Sequence, residues 1–280
     1  MAVTYLHTRT DKDEGRQEAG RDGLKPYRIT MTGADPSCRL HELVELLASE
    51  PRLELALLYS ETQQGTGRYP PAAWIHEVAA ASERRFGYGG QGRRVALHVC
   101  GRAVQRFLSD GPSDLGLGNL ARFSRIQLNG RLAVEQVAAL CIRLMEFREF
   151  PIPIITQFDA NPWLDSPMVH DEQGQLMHQV LFDASGGRGI ERSEWPKHLH
   201  KCVCGYAGGL GPDNIVTEIA RIAGAAGGNR YWIDMEGKLR DAKDQFSIER
   251  AYEVLAQVAV WEAGIDGREA EDVAVGDVGA

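Results

Sequence analysis

Short apolar runs, each closed by a polar residue or a glycine, recur eight times along the chain. They span residues 27–32, 53–60, 94–100, 123–129, 152–158, 178–183, 201–207 and 230–234. Runs of this kind suit buried parallel strands, whose two faces are both covered. Stretches of helical period alternate with them. Residues 40–49 follow Pro36-Ser37, 72–82 follow Pro70-Pro71, and 102–108 follow Gly101. Residues 134–147 form an amphipathic pattern opened by the Asn129-Gly130 turn, 214–223 follow Pro212-Asp213, and 247–261 start at Ser247, a suitable N-cap.

Regular strand–helix alternation predicts a parallel sheet. Eight units predict that the sheet closes into a single (β/α)8 TIM barrel over residues 26–263. Two segments fall outside the pattern. Residues 1–25 are polar and charged and read as a flexible N-terminal arm, and 264–280 read as a disordered tail rich in Gly, Asp and Glu. Within the barrel, the link 159–177 holds Pro162, Pro167 and Gly174 and has no helical period. A loop of that length reads as a lid or specificity loop.

Composition adjusts this picture only slightly. A chain of 280 residues is typical of one such barrel and needs no disulfide or metal staple. The net charge of −8 argues against a nucleic-acid partner, and no apolar run is long enough to span a membrane. The five scattered cysteines (Cys38, Cys100, Cys141, Cys202, Cys204) fit a reducing cytoplasm rather than a disulfide framework. His198, His200, Cys202 and Cys204 alternate like metal ligands. On one strand, however, same-side neighbours stand roughly 6.6 Å apart, too far to share one ion. The expectation is therefore no metal and no cofactor.

In a barrel of this type chemistry sits at the carboxyl ends of the strands. Residues predicted there include Thr32, Asp35, Ser60, His98, Cys100, Gln127, Asn129, Gln157, Asp183, Ser185, Asp234 and Glu236. Asp183 closes an apolar strand, where partial desolvation raises a carboxyl pKa and suits a general acid. A helix cap or a pair with Arg188 is the structural alternative. Gly186, Gly187, Gly208 and Gly209 let backbone N–H groups approach a ligand such as phosphate, although tight turns need glycine as well. Cys100, two residues after His98, reads as a thiol base or as an inert buried thiol.

These residues carry a resemblance. LFDASGGRG, which contains Asp183, is similar to the strand-Asp and glycine loop of phosphoribosylanthranilate isomerases. YAGGLGPDN, which contains Gly208 and Gly209, is close to that family's next turn, and IQLNG, which contains Gln127 and Asn129, is similar to its fourth strand. The resemblance spreads over residues 27–255. It implies an aldose–ketose type rearrangement with Asp183 as acid and Arg68 on a substrate carboxylate. Gln127, Asn129, Ser185 and Arg188 would contact the substrate, with Gly186, Gly187, Gly208, Gly209 and Gly237 around a phosphate. The chain departs from the family in two places. Thr32 stands where the family's basic cysteine would be, which leaves Asp35, or else Cys100 or His98, as the base, and Glu236 stands at the eighth-strand phosphate turn.

The reading is an isomerase-like enzyme acting on a small sugar-phosphate or related polar metabolite, a divergent relative with another substrate. A lyase or aldolase on the same barrel, and a non-catalytic small-molecule binder that has lost its base, are the alternatives. A homodimer is left open.

Overall fold

A computed structural model describes residues 24–87, 92–111, 115, 117–146, 152–158, 177–183, 193–199 and 202–276. The arm up to residue 23, nearly all of the 159–177 link, and Ser185, Gly186, Gly187 and Arg188 lie outside the described residues.

Eight parallel strands close into a barrel in chain order. They are β1 (Arg28–Thr32), β2 (Leu53–Tyr59), β3 (Val95–Val99), β4 (Ile126–Arg131), β5 (Ile154–Phe158), β6 (His178–Asp183), β7 (Cys204–Ala207) and β8 (Tyr231–Met235). Around them stand α1 (Leu40–Ser49), α2 (Ala72–Phe86), α3 (Arg102–Asp110), α4 (Val134–Glu146), α5 (Ile215–Ala226) and α6 (Ile248–Gly276). The barrel and every strand agree with the apolar runs to within a few residues. One boundary differs clearly: α6 runs past Gly264, where the tail was expected to begin, as far as Gly276. Near that point Lys25 pairs with Asp266 at 2.8 Å, tying the start of the barrel to the last helix. No described helix is long and apolar enough to cross a membrane.

The apolar periodicity explains the outer layer. Leu43, Leu46 and Leu47 line the inner face of α1 and join one cluster with Ile29, Leu55 and Leu57 of the strands. Each such leucine contributes about 1.5–3 kcal/mol through burial. The first turn of α1 is secured by Glu42, whose carboxylate accepts the Arg39 N–H at 3.0 Å. β2 is buried at every position because the barrel interior covers its other face.

The interior is a separate layer. Ile155, Leu181, Val203, Ala207 and Trp232 fill its middle. Trp232 lies flat on Gly205, where an added Cβ would stand 2.0 Å from the indole. Below them, toward the amino ends of the strands, is a buried charge network. Arg125 forks onto Glu54 and also donates to Thr30 Oγ1 and Gln179 Oε1, each at 3.0 Å. Arg28 and Ser124 complete the shell around Glu54. Burial alone would raise the Glu54 carboxyl, but the Arg125 and Arg28 guanidinium groups outweigh it and hold the group far below the usual carboxylate range.

Candidate active site

Strand register brings together two acids that are distant in sequence. Asp183 ends β6 opposite Ala207 of β7, and Ala207 stands opposite Asp234 of β8. The two acids are thus two strands apart at one level of the barrel, with Ala207 on the strand between them. Both border a cavity of about 40 Å³ at the carboxyl ends of the strands, which is where a parallel barrel presents its strand-end side chains.

Asp234 is strongly perturbed. It is 5% exposed, and its Oδ1 accepts the Thr32 hydroxyl at 2.6 Å. Burial holds its carboxyl well above the usual carboxylate range, against the lowering effect of the Thr32 bond. The negative charges of Glu236 and Asp183 push the same way, while Arg125 opposes them. Asp183 is 8% exposed, and its Oδ2 accepts from Gln157 Nε2 at 3.2 Å.

His98 faces the pair. Its Nε2 stands 4.0 Å from Asp234 Oδ2, and burial pushes the imidazole down to about 3, so the ring is neutral at neutral pH. A chain of hydrogen bonds assigns its tautomer. Gln127 Nε2 gives one hydrogen to His98 Nδ1 at 3.3 Å and the other to Asn129 Oδ1 at 2.8 Å, and Asn129 Nδ2 donates onward to the Cys100 sulfur at 3.3 Å. Nδ1 is therefore the acceptor and Nε2 carries the proton. That Nε2–H, together with Gln127 Oε1, is buried without a hydrogen-bond partner among the described residues. A buried donor and a buried acceptor left unpaired on one cavity mark a place where a ligand or water bonds.

The structure sorts the residues singled out in the sequence. Asp183, Gln127, Asn129, Gly208, Gly209 and Gly237 all line the cavity. Gly209 adopts φ 63°, open to glycine at little cost. Asp35 does not line it. Its carboxylate is occupied by Arg240 at 2.8 Å, by the Ser37 N–H at 3.0 Å and by the Phe246 N–H at 3.2 Å, so it braces the loop after β8 and is not placed as a base. Cys100 stands beside Asn129 at the rim. Burial, helped by the charge of Glu236, pushes its thiol up to about 12, which leaves it protonated and unsuited to act as a base. Arg68 spans the mouth to pair with Glu236 and, at 3.1 Å, with Asp244. Its fork is thus held by acids of the chain itself. Burial raises Glu236, and the Arg68 charge works against that.

Asp234 and Gln157 were placed at the mouth by sequence but given no role, and His98 was read only as a candidate substitute base, whereas its Nδ1 accepts from Gln127 and its Nε2 carries the proton. The signal for Asp234 was present: like Asp183, it stands at the end of an otherwise apolar strand. The partnership of His98 with Gln127 depends on the β3–β4 register, which sets the two opposite each other. Of the apparent metal ligands, Cys202 and Cys204 are buried, and His198 bonds backbone carbonyls of Leu199 and Arg230. Among the described residues no group of three or more His, Cys, Asp or Glu is placed to hold a metal ion.

Fold and site together define a (β/α)8 barrel with a polar, acid-bearing cavity at the carboxyl ends of its strands. Solved structures that superpose on it include phosphoribosylanthranilate isomerases. The TrpF protein of Jonesia denitrificans superposes with a TM-score of 0.51 at 13% identity, covering 83% of this chain and 96% of that one. The phosphoribosyl anthranilate isomerase of Thermus thermophilus gives 0.50 at 16% identity, covering 83% and 98%. At these identities the likeness is one of fold, and it is distant. No family model and no curated protein matches the sequence.

Proposed function

We propose that the protein is an isomerase-type enzyme that moves a proton between adjacent carbons of a small polar metabolite, a sugar or a related hydroxy-carbonyl compound. The observation that carries this reading is the pair of buried aspartates, Asp183 and Asp234, on one cavity beside the neutral His98. Burial raises the Asp234 carboxyl well above its ordinary range, which suits it to donate a proton, and the carboxylate of Asp183 on the same cavity is the group to accept one. This exchanges the role that sequence alone assigned to Asp183.

The chemistry follows from where the protons sit. A substrate carbonyl oxygen between His98 Nε2 and Asp234 Oδ2 receives two hydrogen bonds, one from a neutral imidazole and one from a carboxylic acid. The 4.0 Å gap between those atoms is too wide for a bond of their own, yet narrow enough for both to reach one ligand oxygen. Asp183 removes the proton from the carbon bearing the neighbouring hydroxyl. Electrons move to the carbonyl oxygen, which takes the proton of Asp234, and an enediol forms. Return of the Asp183 proton to the former carbonyl carbon, with return of a hydroxyl proton to Asp234, completes the exchange of aldehyde and ketone. General acid–base help contributes about 10²–10⁴ in rate, and a donor aimed at the developing oxyanion about 10²–10³.

Solvent exchange tests the proposal. Pentoses, hexoses and their terminal phosphates are incubated with the protein in D2O, and loss of the proton next to the carbonyl is followed by ¹H NMR. Exchange that falls at least hundredfold in Asp183→Asn supports the reading. Exchange that is unchanged in Asp183→Asn, or absent for the whole panel, refutes it.

A further inference from the structure

The charges around the cavity bear on the class of substrate, an inference that rests on the acid–base reading above. Three carboxyl groups, those of Asp183, Asp234 and Glu236, line the cavity, and among the described lining residues there is no lysine or arginine. Among the described residues, Arg68 and Arg240 lie close by and are engaged elsewhere, and Lys238, next to Gly237, lays its stem along Gly211. Arg68 is paired with Glu236 and Asp244. Arg240 is turned to Asp35, to the Gly33 carbonyl at 2.7 Å and to Asp244 at 2.6 Å. The glycine turn that would cradle an anion is partly consumed as well. The Gly211 N–H donates to Asn214 Oδ1 at 3.0 Å, and the Asn214 amide returns a bond to the Gly209 carbonyl at 2.9 Å.

A phosphate dianion at Gly208–Gly209 would meet Glu236 on the same cavity wall. Like charges on one poorly hydrated wall repel, and that repulsion opposes the binding of a phosphate. The unpartnered groups point to a different ligand. The His98 Nε2–H is a donor and Gln127 Oε1 is an acceptor, both on residues only 2% exposed. A hydroxyl group both donates and accepts, so a polyol satisfies each of them without bringing a charge.

We infer that the site takes an unphosphorylated sugar, a neutral polyhydroxy aldehyde or ketone, and rejects the corresponding phosphate ester. Glu236, held in place by Arg68, is the group that excludes the phosphate.

Titration of the ¹⁵N-labelled full-length protein with inorganic phosphate tests this apart from catalysis. In the wild type the Gly208 and Gly209 amide resonances stay in place up to about 10 mM phosphate. In Glu236→Gln the same resonances shift. Shifts of these two amides in the wild type at millimolar phosphate overturn the inference, whether or not the variant folds. The deuterium-exchange panel supplies the second arm. Free sugars exchange at least a hundredfold faster than their phosphates, and the reverse order overturns the inference. Phosphate binding together with Asp183-dependent exchange removes the inference and leaves the acid–base reading standing. Phosphate exclusion with no exchange by any sugar removes the acid–base reading instead.

Discussion

Replacing Arg125 by methionine tests what closes the barrel at its amino end. In the wild type the guanidinium is almost fully buried, forks onto a Glu54 carboxylate with no exposure, and lies 4.5 Å from the Trp232 ring centre. Methionine keeps most of the volume and removes every donor. Glu54 then retains Arg28, Thr30 and Ser124 as partners. Breaking a buried pair by removing one member costs about 3–5 kcal/mol, and the three surviving donors place Arg125→Met near 3 kcal/mol. Glu54→Leu leaves Arg125 with neutral acceptors alone, Thr30, Gln179 and Tyr27, and costs at least as much. The double variant strands neither charge, so its cost falls short of the summed single costs by about 2 kcal/mol or more. Urea unfolding followed by tryptophan fluorescence reads all four proteins, and each single variant lowers the thermal midpoint by roughly 6–12 °C. Single variants within about 0.5 kcal/mol of the wild type, or costs that simply add, would refute the coupled-pair argument.

Other consequences are as direct. Gly205→Ala puts a methyl into the Trp232 indole, so the thermal midpoint falls by roughly 5 °C or more, and adding Trp232→Phe recovers part of the loss; an unchanged midpoint would mean the two do not pack as described. Cys100 reacts with iodoacetamide at pH 8 at least a hundredfold more slowly than a free thiol, read by peptide mass spectrometry, because its thiol is pushed up to about 12; rapid labelling contradicts this. Acid weakens the fold through two groups. His98 drops from about 6.5 unfolded to about 3 folded, so its contribution is complete above pH ~6.5 and is lost as pH falls toward 3. Glu54, also lowered on folding, adds a loss that starts near its unfolded value of about 4.3 and continues downward. Asp234 has the opposite sign, since its raised carboxyl favours the folded state most at low pH and less as pH rises through its folded value. Between about pH 4.5 and 7 the His98 and Asp234 contributions oppose each other, so His98→Asn, which keeps only that of Asp234, loses urea midpoint relative to the wild type as pH rises; a difference between the two proteins that does not change with pH would refute the neutral-imidazole assignment.

The barrel was legible because parallel strands buried on both faces leave an unmistakable trace, short apolar runs at regular spacing. Even the end of β6 at Asp183 and the whole of α1 could be read from the chain. The site was legible as a place but less so as a set of partners. Asp35 has the residue type and position of a base, and nothing local reveals that Arg240, 205 residues away, occupies it. Arg68 reads as a clamp for a substrate acid, yet Glu236 from β8's end takes that clamp, a pairing 168 residues long. The charged floor of the barrel was not read at all. Glu54 lies within a run of apolar residues and Arg125 just precedes one, and only closure of the sheet brings them together. Local pattern sets which strand faces are buried; register and closure set which polar groups then meet.

The central claim is that Asp234 holds a proton facing the Asp183 carboxylate. Carbon-13 NMR of side-chain carboxyls in protein labelled at aspartate measures this without a substrate. The account predicts one aspartate carboxyl that titrates well above the ordinary carboxylate range, its resonance absent in Asp234→Asn and its titration shifted to lower pH in Asp183→Asn, since removing the neighbouring charge eases ionisation. If every aspartate carboxyl in the wild type titrates in the ordinary range, the proposed reaction has no acid.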